Sequence, residues 1–225
     1  MRVRVGTYNV QSFRGGVDAA SDVIGPERPD ILLVQEAGRR RKLRSFAASL
    51  GMESESTHRP FGRIRNAVLY RSPWRRGAVT AGTFTREGRT LPRGFIVVHL
   101  RRTGERLAAV SAHLGLSPRE RERHARELTD VLTGIEGSVV VGIDLNEGPE
   151  SPAARWIGQR LFDTVPRPDG HSDLTFPARV PTARIDFLFV NETVKPVRSW
   201  VATGSAVALA SDHRPVLADL EVRSP

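Results

Sequence analysis

Short apolar segments of strand length recur along the whole chain, and this pattern limits the fold classes open to it. Apolar residues that alternate or run together over roughly four to eight positions are typical of strands. The sequence predicts strands at residues 3–8, 31–34, 67–70, 78–81, 95–100, 107–112, 139–143, 186–190, 196–201 and 216–222. Helices are predicted at residues 17–24 and 39–50, and another begins after Ser117. Strand pairs interspersed with helices indicate an α/β fold in which helices cover two sheets, within a single domain of residues 1–225.

The helix after Ser117 has the clearest signals. It starts at a capping box, Ser117-Pro118-Arg119-Glu120, with proline at the first helical position, and Gly134 ends it. Arginines and glutamates alternate along its first turns, at Arg119, Arg121, Arg123 and Arg126 and at Glu120, Glu122 and Glu127. This alternation predicts a solvent-exposed helix face with salt bridges.

Composition excludes several kinds of site. The chain has no cysteine, which excludes disulfides, thiolate zinc sites and cysteine nucleophiles. No apolar run approaches the roughly 18 residues that a membrane span needs. Residues 1–6 are basic but lack the apolar stretch of a signal peptide. We therefore expect a cytoplasmic protein without a transmembrane segment, and we expect it to be a monomer.

The charge balance is strongly basic. Lysine and arginine total 34 against 25 acidic residues, which gives a net charge of +9. All of the basic residues except Lys42 and Lys195 are arginines, and the planar guanidinium group suits phosphate. This balance is typical of proteins with a polyanionic partner. Codon bias in a G·C-rich genome gives the same excess of arginine, so the sequence leaves both interpretations open.

Polar residues stand at the ends of the predicted strands. The segments are Thr7-Tyr8-Asn9-Val10, Val34-Gln35-Glu36, Ser111-Ala112-His113-Leu114-Gly115, Gly142-Ile143-Asp144-Leu145-Asn146, Arg184-Ile185-Asp186-Phe187-Leu188 and Ser211-Asp212-His213-Arg214-Pro215. In α/β proteins, ligands cluster at strand ends because a rigid sheet holds the side chains toward one crevice. Carboxylate and amide oxygens suit Mg²⁺ or Mn²⁺ and not zinc. Two histidines beside them suit proton transfer or phosphate contact.

This ordered set resembles the endonuclease/exonuclease/phosphatase superfamily. That superfamily includes pancreatic deoxyribonuclease, abasic-site endonucleases, neutral sphingomyelinases, deadenylases and inositol-polyphosphate phosphatases. The resemblance runs from Thr7 to Val216, with all the expected segments in the family's order. It implies a four-layer α/β sandwich, with two mixed β-sheets face to face and helices outside. It also implies metal-dependent hydrolysis of a phosphoester.

The resemblance assigns the metal ligands. Glu36 resembles the family's main metal-binding carboxylate, and Asn9 and Asp212 stand beside it. The implied cofactor is Mg²⁺, with Mn²⁺ as an alternative. Gln11 stands where many repair nucleases have an acid, which argues against a second metal there.

The resemblance also assigns the catalytic residues. Asp144 resembles the residue that positions or deprotonates the attacking water, and Asn146 its partner. His213 resembles the histidine that contacts the scissile phosphate, and Asp186 the carboxylate that orients it. His113 is similar to the histidine of the deoxyribonuclease and sphingomyelinase branches, where abasic-site endonucleases usually have tyrosine.

Two departures from the family's pattern lie near these residues. Ile143 replaces the glycine that is common before the catalytic aspartate, and strand alternation predicts a change of packing only. Asn66 opens a strand where some relatives carry a carboxylate paired to the equivalent of His113.

Basic residues are expected to contact the substrate. Arg39, Arg40 and Arg41 directly follow the segment of Glu36 and could form a phosphate-binding rim, or else a solvated first helical turn. Basic residues at a helix start oppose the helix dipole, which favours a functional reason. Arg184 is a further expected substrate contact. The long loop at residues 166–183 is expected to take part in substrate selection.

The sequence thus favours a Mg²⁺-dependent phosphodiester hydrolase, a small nuclease acting on DNA or RNA. The alternative is a phosphatase or phospholipase-type enzyme acting on a small phosphoester, an inositol phosphate or a phospholipid headgroup. A catalytically dead binding module on the same scaffold is a third reading. The intact set of acidic and histidine residues argues against that reading, because a domain without catalysis would be free to lose some of them.

Overall fold

Two six-stranded mixed sheets pack face to face, and helices cover both outer surfaces. The computed structural model describes residues 2–57, 64–165 and 173–222. The strands are β1 (Arg2–Asn9), β2 (Ile31–Gly38), β3 (Glu53–Ser56), β4 (Ile64–Tyr70), β5 (Arg75–Thr83), β6 (Gly94–Arg102), β7 (Glu105–His113), β8 (Ser138–Asp144), β9 (Phe162–Asp163), β10 (Asp186–Val190), β11 (Val194–Val201) and β12 (Val216–Val222). The helices are α1 (Val17–Ile24), α2 (Arg40–Ser49), α3 (Pro118–Thr133), α4 (Pro152–Ile157) and α5 (Ser205–Ala210). The four-layer α/β sandwich expected from the sequence is confirmed.

The strand order places one parallel pair at the centre of each sheet. The first sheet runs β11-β12-β1-β2-β4-β3, and the second runs β5-β6-β7-β8-β10-β9. The pairs β1–β2 and β7–β8 are parallel, and the other neighbouring strands are antiparallel. Parallel strands end at the same edge of a sheet. The carboxyl ends of these four strands therefore present their side chains at shared edges.

Alternation along the central strands divides the apolar residues between layers. In β2, Ile31 and Leu33 pack between the sheets, whereas Leu32 and Val34 pack under α1, α2 and α5. On the other sheet, Ile143 packs outward against the layer that includes α3 and α4. Its place there agrees with the expected change of packing. No helix in the described part of the chain is long and apolar enough to cross a membrane.

A buried polar bridge joins the two sheets below the strand ends. The side-chain amide of Gln35, in β2, donates to Ser111 Oγ at 3.2 Å and to the Gly142 carbonyl at 3.1 Å. It also lies 3.0 Å from Thr7 Oγ1. Buried polar groups need such partners, because an unpaired one costs free energy. The bridge therefore fixes how the two sheets stand relative to each other near their shared edge.

The sequence does not predict two of the edge strands, β3 and β9, or the six-residue helices α4 and α5. β3 consists of Glu-Ser-Glu-Ser and lies at the end of its sheet, so it lacks the apolar alternation that marks a half-buried strand. β9 has two residues, and α4 and α5 have six each. Elements of this length depend on their tertiary neighbours more than on local pattern.

We predict that Gly142→Ala destabilises the protein through the contact between the sheets. A Cβ atom at Gly142 would lie 2.6 Å from Thr7 Oγ1 and 2.7 Å from Leu33 Cβ. Overpacking of this kind costs roughly 1–3 kcal/mol of unfolding free energy, which urea denaturation would measure. Gly148→Ala is the matched control, because a Cβ there meets nothing within 4 Å. Equal stability of the two variants would contradict this account of the packing.

Candidate active site

The polar strand ends meet at one edge of the sandwich. Register pairs His113, the last residue of β7, with Asp144, the last residue of β8, and pairs Asp144 with Asp186 at the start of β10. In the facing sheet, Asn9 ends β1 beside the end of β2, which carries Glu36. Side-chain contacts across the sheets, described next, join these residues into one site.

Asp144 is the centre of this site. It is 1% exposed, and its Oδ2 accepts a hydrogen bond from Asn9 Nδ2 at 2.8 Å across the two sheets. His113 Nε2 lies 3.1 Å from the same oxygen. Oδ1 accepts from the backbone N–H of Asn146 at 3.0 Å. The carboxylate thus accepts two hydrogen bonds and lies beside the His113 ring, in a buried position at the shared edge.

His213 is held between carboxylates. Its Nδ1 lies 2.9 Å and 3.1 Å from the two carboxylate oxygens of Asp186. Its Nε2 lies 3.9 Å from an oxygen of Asp144 and 3.9 Å from an oxygen of Asp212. Burial alone would lower the pKa of His213, but Asp186, and after it Asp144 and Asp212, outweigh burial and raise the pKa to about 10. In the absence of bound metal or substrate, this histidine is therefore positively charged at neutral pH.

The described part of the loop before β10 braces this pair. Thr175 Oγ1 accepts from the backbone N–H of Asp186 at 3.2 Å. The ring of Phe176 packs against the imidazole of His213, with centroids 5.0 Å apart. Residues 166–172 of the same loop lie outside the described residues, so its expected part in substrate selection stays a prediction.

Arg93 is a residue of the site that the sequence did not reveal. Its Nη1 lies 2.9 Å from His113 Nδ1 and 3.4 Å from Glu36 Oε1. A guanidinium group only donates, so His113 Nδ1 accepts from Arg93 and a neutral ring carries its proton on Nε2. That nitrogen lies 3.1 Å from Asp144 Oδ2 and 3.0 Å from the side-chain nitrogen of Asn146. Burial lowers the pKa of His113, and Arg93 lowers it further against the opposing effect of Asp144, to about 3. His113 is therefore a neutral hydrogen-bond donor.

Asn66 does not take the place of the carboxylate that some relatives pair with this histidine. Its side-chain amide donates to the Gly94 carbonyl at 2.6 Å, and the residue is fully buried. Because Arg93 precedes Gly94, this hydrogen bond fixes the backbone next to the arginine. The side chain that faces His113 Nδ1 is Arg93, and Asn66 contacts the backbone beside it.

An irregularity in β2 sets the direction of the Glu36 side chain. The register of β2 against β4 shifts between Gln35 and Gly38, and Glu36 has a φ of 50°. A bulge redirects a side chain, and strained backbone of this kind concentrates at functional sites. The Glu36 side chain is 35% exposed, with Oε1 4.0 Å from His113 Nδ1. The expected metal ligand therefore reaches the site with part of its carboxylate open to solvent.

The other two expected ligands are linked through Gln11. Asn9 Oδ1 accepts from the backbone N–H of Gln11 at 3.0 Å. The side-chain amide of Gln11 donates to Asp212 Oδ2 at 2.7 Å. Gln11 thus supplies a hydrogen-bond donor where many repair nucleases have a carboxylate.

The donor set fits an oxygen-seeking divalent cation. Among the described residues, Asp144, Asp186 and His213 bring ligand atoms within 4.8 Å of one another. Asp186 is engaged with His213, however, whereas Glu36 and Asp212 are 35% and 40% exposed in their side chains. The open carboxylate oxygens of Glu36 and Asp212 are therefore the better candidates for holding an ion.

The expected arginine rim is open to solvent. Arg39 precedes α2 and Arg40 and Arg41 begin it, and all three are exposed. Lys42, in the same turn, is instead half-buried and donates to the Phe13 carbonyl at 2.9 Å. The three arginines remain available to a substrate, and Lys42 has a structural contact.

Arg184, an expected substrate contact, lies in a buried ion pair. Its side chain is 4% exposed and lies 2.6 Å from Asp163 Oδ1 and 3.9 Å from Asp173 Oδ2. The guanidinium group also stacks 4.4 Å above the ring centroid of Phe187. Residue type alone could not distinguish this buried ion pair from a phosphate-binding arginine.

We predict that Arg184→Met lowers stability and leaves the substrate affinity unchanged. Removing one partner of a buried ion pair leaves an uncompensated charge, here on Asp163, and costs roughly 3–5 kcal/mol. Urea denaturation would measure the loss, with Arg160→Met as the control at an exposed position. A stable variant with a raised KM would restore Arg184 as a substrate contact.

Several solved structures are similar to this chain. The endonuclease/exonuclease/phosphatase from Bacteroides vulgatus has a TM-score of 0.86 at 22% identity, covering 99% of this chain and 100% of that one. A mannosyl-6-phosphatase from Bacteroides thetaiotaomicron has a TM-score of 0.80 at 18% identity, covering 97% and 99%. The human Nocturnin catalytic domain with bound sulfate has a TM-score of 0.80 at 14% identity, covering 99% and 95%. At these identities the likeness establishes the fold, and a comparison with curated proteins gave no match.

The family is established by sequence. The profile of the Endonuclease/Exonuclease/phosphatase family matches residues 6–213. This range includes the strand ends and loops that build the site, from Asn9 to His213. The chain therefore belongs to the Endonuclease/Exonuclease/phosphatase family, whose members are phosphoester hydrolases that typically depend on a divalent metal.

Proposed function

We propose that this protein is a Mg²⁺-dependent nuclease that hydrolyses phosphodiester bonds in DNA or RNA. The arrangement around Asp144 carries the proposal: a buried carboxylate stands beside a positively charged histidine and near open carboxylates. An anionic diester repels nucleophiles, so its hydrolysis needs positive charge and a base in the same place.

Glu36, Asp212 and Asn9 are the residues that would hold Mg²⁺. Each offers an oxygen donor, and the partial exposure of the two carboxylates supports this choice. When bound, Mg²⁺ would neutralise charge on the phosphate and make a water molecule more acidic.

Asp144 is the proposed general base. Asn9 donates to its Oδ2 and the Asn146 backbone donates to Oδ1, while the His113 ring lies 3.1 Å from Oδ2, so the carboxylate cannot rotate freely. A fixed carboxylate can accept the proton of an attacking water without first reorganising. Because His113 is neutral and its Nε2–H points at Asp144, its role is to orient this base.

His213 supplies the fixed positive charge. Asp186 accepts from its Nδ1, which leaves Nε2–H facing the space between Asp144 and Asp212. A phosphate oxygen in that space would receive a charge-assisted hydrogen bond, which is stronger than a neutral one. Before metal and substrate bind, the raised pKa keeps the proton on the ring at neutral pH.

The basic surface supports nucleic acid as the substrate. Arg39, Arg40 and Arg41 are exposed immediately after β2, the strand that carries Glu36. Contacts between arginine and phosphate position a nucleic acid without reading its sequence. The net charge of +9 adds a long-range attraction for a polyanion.

One observation favours a small phosphoester instead. A pocket of about 180 Å³ opens beside Glu36 and His113, with Arg65 and Arg93 in its lining. A pocket of this size suits a phosphate with a small organic group more than it suits a strand of nucleic acid. The second candidate function is therefore hydrolysis of a small phosphate ester at the same centre.

We predict that hydrolysis of bis-p-nitrophenyl phosphate stops in EDTA and returns with Mg²⁺ or Mn²⁺. Glu36→Gln should raise the Mg²⁺ concentration for half-maximal rate, because the amide is a weaker ligand than the carboxylate. Glu122→Gln, at a carboxylate that pairs with Arg126 on the surface of α3, should leave the Mg²⁺ titration unchanged. Full activity in metal-free protein would exclude the metal, and an unchanged titration for Glu36→Gln would remove Glu36 from the ligands.

We also predict that the triple variant Arg39→Ala, Arg40→Ala, Arg41→Ala raises KM for DNA or RNA. The log–log salt dependence should flatten by up to ~0.9 for each lost contact with duplex phosphate. Hydrolysis of bis-p-nitrophenyl phosphate should change little, since this substrate ends near the reacting phosphate.

The matched control replaces three exposed arginines at the opposite end of the second sheet, Arg75, Arg101 and Arg106, with alanine. This control should keep both activities. Unchanged kinetics in the Arg39–Arg41 variant would assign those arginines to a solvated helix turn and favour the small phosphoester.

A further inference from the structure

Glu120 does not occupy the exposed, salt-bridged position that the charge alternation of α3 predicts. It is 1% exposed. Half of the capping box forms, because Ser117 Oγ accepts from the Glu120 N–H at 3.1 Å. The Glu120 side chain turns away from the helix start instead. It accepts from the backbone N–H of Glu87 at 3.0 Å and from Thr90 Oγ1 at 2.5 Å.

Those partners lie in the connection between β5 and β6, residues 84–93, called here the 84–93 segment. The segment ends at Arg93, whose guanidinium contacts His113 and Glu36. Its first residues also lie on α3, since the Thr85 carbonyl is 2.9 Å from His124 Nε2 and Phe84 stacks on the His124 ring. The segment is therefore attached to α3 at its start and middle, and it delivers Arg93 to the active site at its end.

Glu120 also contacts the chain that follows His113. A Cβ atom at Gly115 would lie 2.5 Å from Glu120 Oε2, so the carboxylate packs directly on the backbone two residues after His113. Glu120 thus stands between the chain that follows His113 and the chain that precedes Arg93.

The Glu120 side chain is held as a carboxylate. Burial raises its pKa, but the hydrogen bonds from Thr90 and Glu87, together with the charges of His124 and Arg93, outweigh burial and lower it. A buried carboxylate with two donors on one oxygen is a strong attachment, because charge-assisted hydrogen bonds are about twice as strong as neutral ones. The interactions of α3 with the segment at Arg123 and Ser117 are more exposed to solvent.

We propose that Glu120 is a positioning residue that clamps the 84–93 segment onto α3 and thereby keeps Arg93 in contact with His113 and Glu36. The clamp itself does not depend on the proposed function. Only its effect on hydrolysis, through the contacts of Arg93, rests on that function. Loss of the clamp would release Arg93, and His113 would no longer have a donor that fixes its proton on Nε2, toward Asp144.

The first test measures the clamp without any activity. Arg86 and Arg89 are exposed within the segment, and limited trypsin digestion with mass spectrometry reports cleavage after each of them. Glu120→Ala should accelerate these cleavages at least about tenfold, and Glu120→Gln, which keeps one acceptor oxygen, should lie between Glu120→Ala and the native protein. Glu122→Ala, on the same helix, should match the native protein. Equal cleavage in all of these proteins would overturn the proposal.

The second test asks whether the clamp acts through Arg93. Glu120→Ala should lower kcat/KM for bis-p-nitrophenyl phosphate, and Glu120→Gln should restore part of the loss. In an Arg93→Ala background, Glu120→Ala should have little further effect on kcat/KM. The loss in the double variant should therefore be roughly tenfold smaller than the product of the two single losses, within the coupling expected for residues of one network. Fully additive losses, or faster trypsin cleavage with native kinetics, would also overturn the proposal.

A third readout separates this proposal from the proposed function. The ¹⁵N spectrum of the His113 ring should show the Nε2–H tautomer in the native protein and a mixture in Glu120→Ala. If the native protein hydrolysed no phosphoester, the proposed function would fail, and the trypsin and ¹⁵N results would still decide the clamp. An unchanged His113 spectrum in Glu120→Ala would overturn it.

Discussion

The buried carboxylate of Asp144 is the interaction on which the site depends. It ends β8 in one sheet and accepts a hydrogen bond from Asn9 in the other, so the two sheets must meet at a fixed distance for it to be satisfied. An unpaired buried carboxylate is very costly. Below Asp144, Gln35 also fixes the spacing of the two sheets, because it donates to Ser111 and to the Gly142 carbonyl of the facing sheet. The packing of the two sheets therefore also fixes the geometry of the site.

Two buried histidines face Asp144, and their other surroundings shift their pKa values in opposite directions. Asp186 holds His213 as a cation, whereas burial and Arg93 hold His113 neutral. Titratable groups whose environments push their pKa values apart are a sign of assigned roles in catalysis. In the proposed mechanism, one ring supplies positive charge and the other orients the base. This division of labour depends on Arg93, and through Arg93 on whatever fixes the segment that carries it.

Sequence reasoning reached the strand ends because their chemistry is local. Glu36 and Asp144 lie in or at the end of apolar strands, and a rigid sheet brings such positions to one edge. His213 instead lies between α5 and β12, where the structure differs from the expected strand end. Family resemblance then supplied their order and their roles. The fold followed from the same pattern, apart from edge elements such as β3, whose polar sequence carries no alternation.

The residues that sequence reasoning missed take their roles from contacts between positions that are far apart in the sequence. Arg93 is one arginine among many, and only the fold brings it to His113. Arg184 carries the same charge but is buried against Asp163, which residue type alone does not reveal. Glu120 looked exposed because its neighbours alternate in charge, yet the 84–93 segment covers it. Burial decides these roles, and burial is a property of the folded chain.

The measurement that tests the account most directly is kcat of Asp144→Asn on bis-p-nitrophenyl phosphate at saturating Mg²⁺. Asparagine keeps the size and one acceptor oxygen, so circular dichroism should show native folding. The loss of the base should lower kcat by roughly 10²–10⁴, the usual contribution of a positioned acid–base group. A folded variant that keeps more than about half of the native kcat would show that Asp144 is not the base.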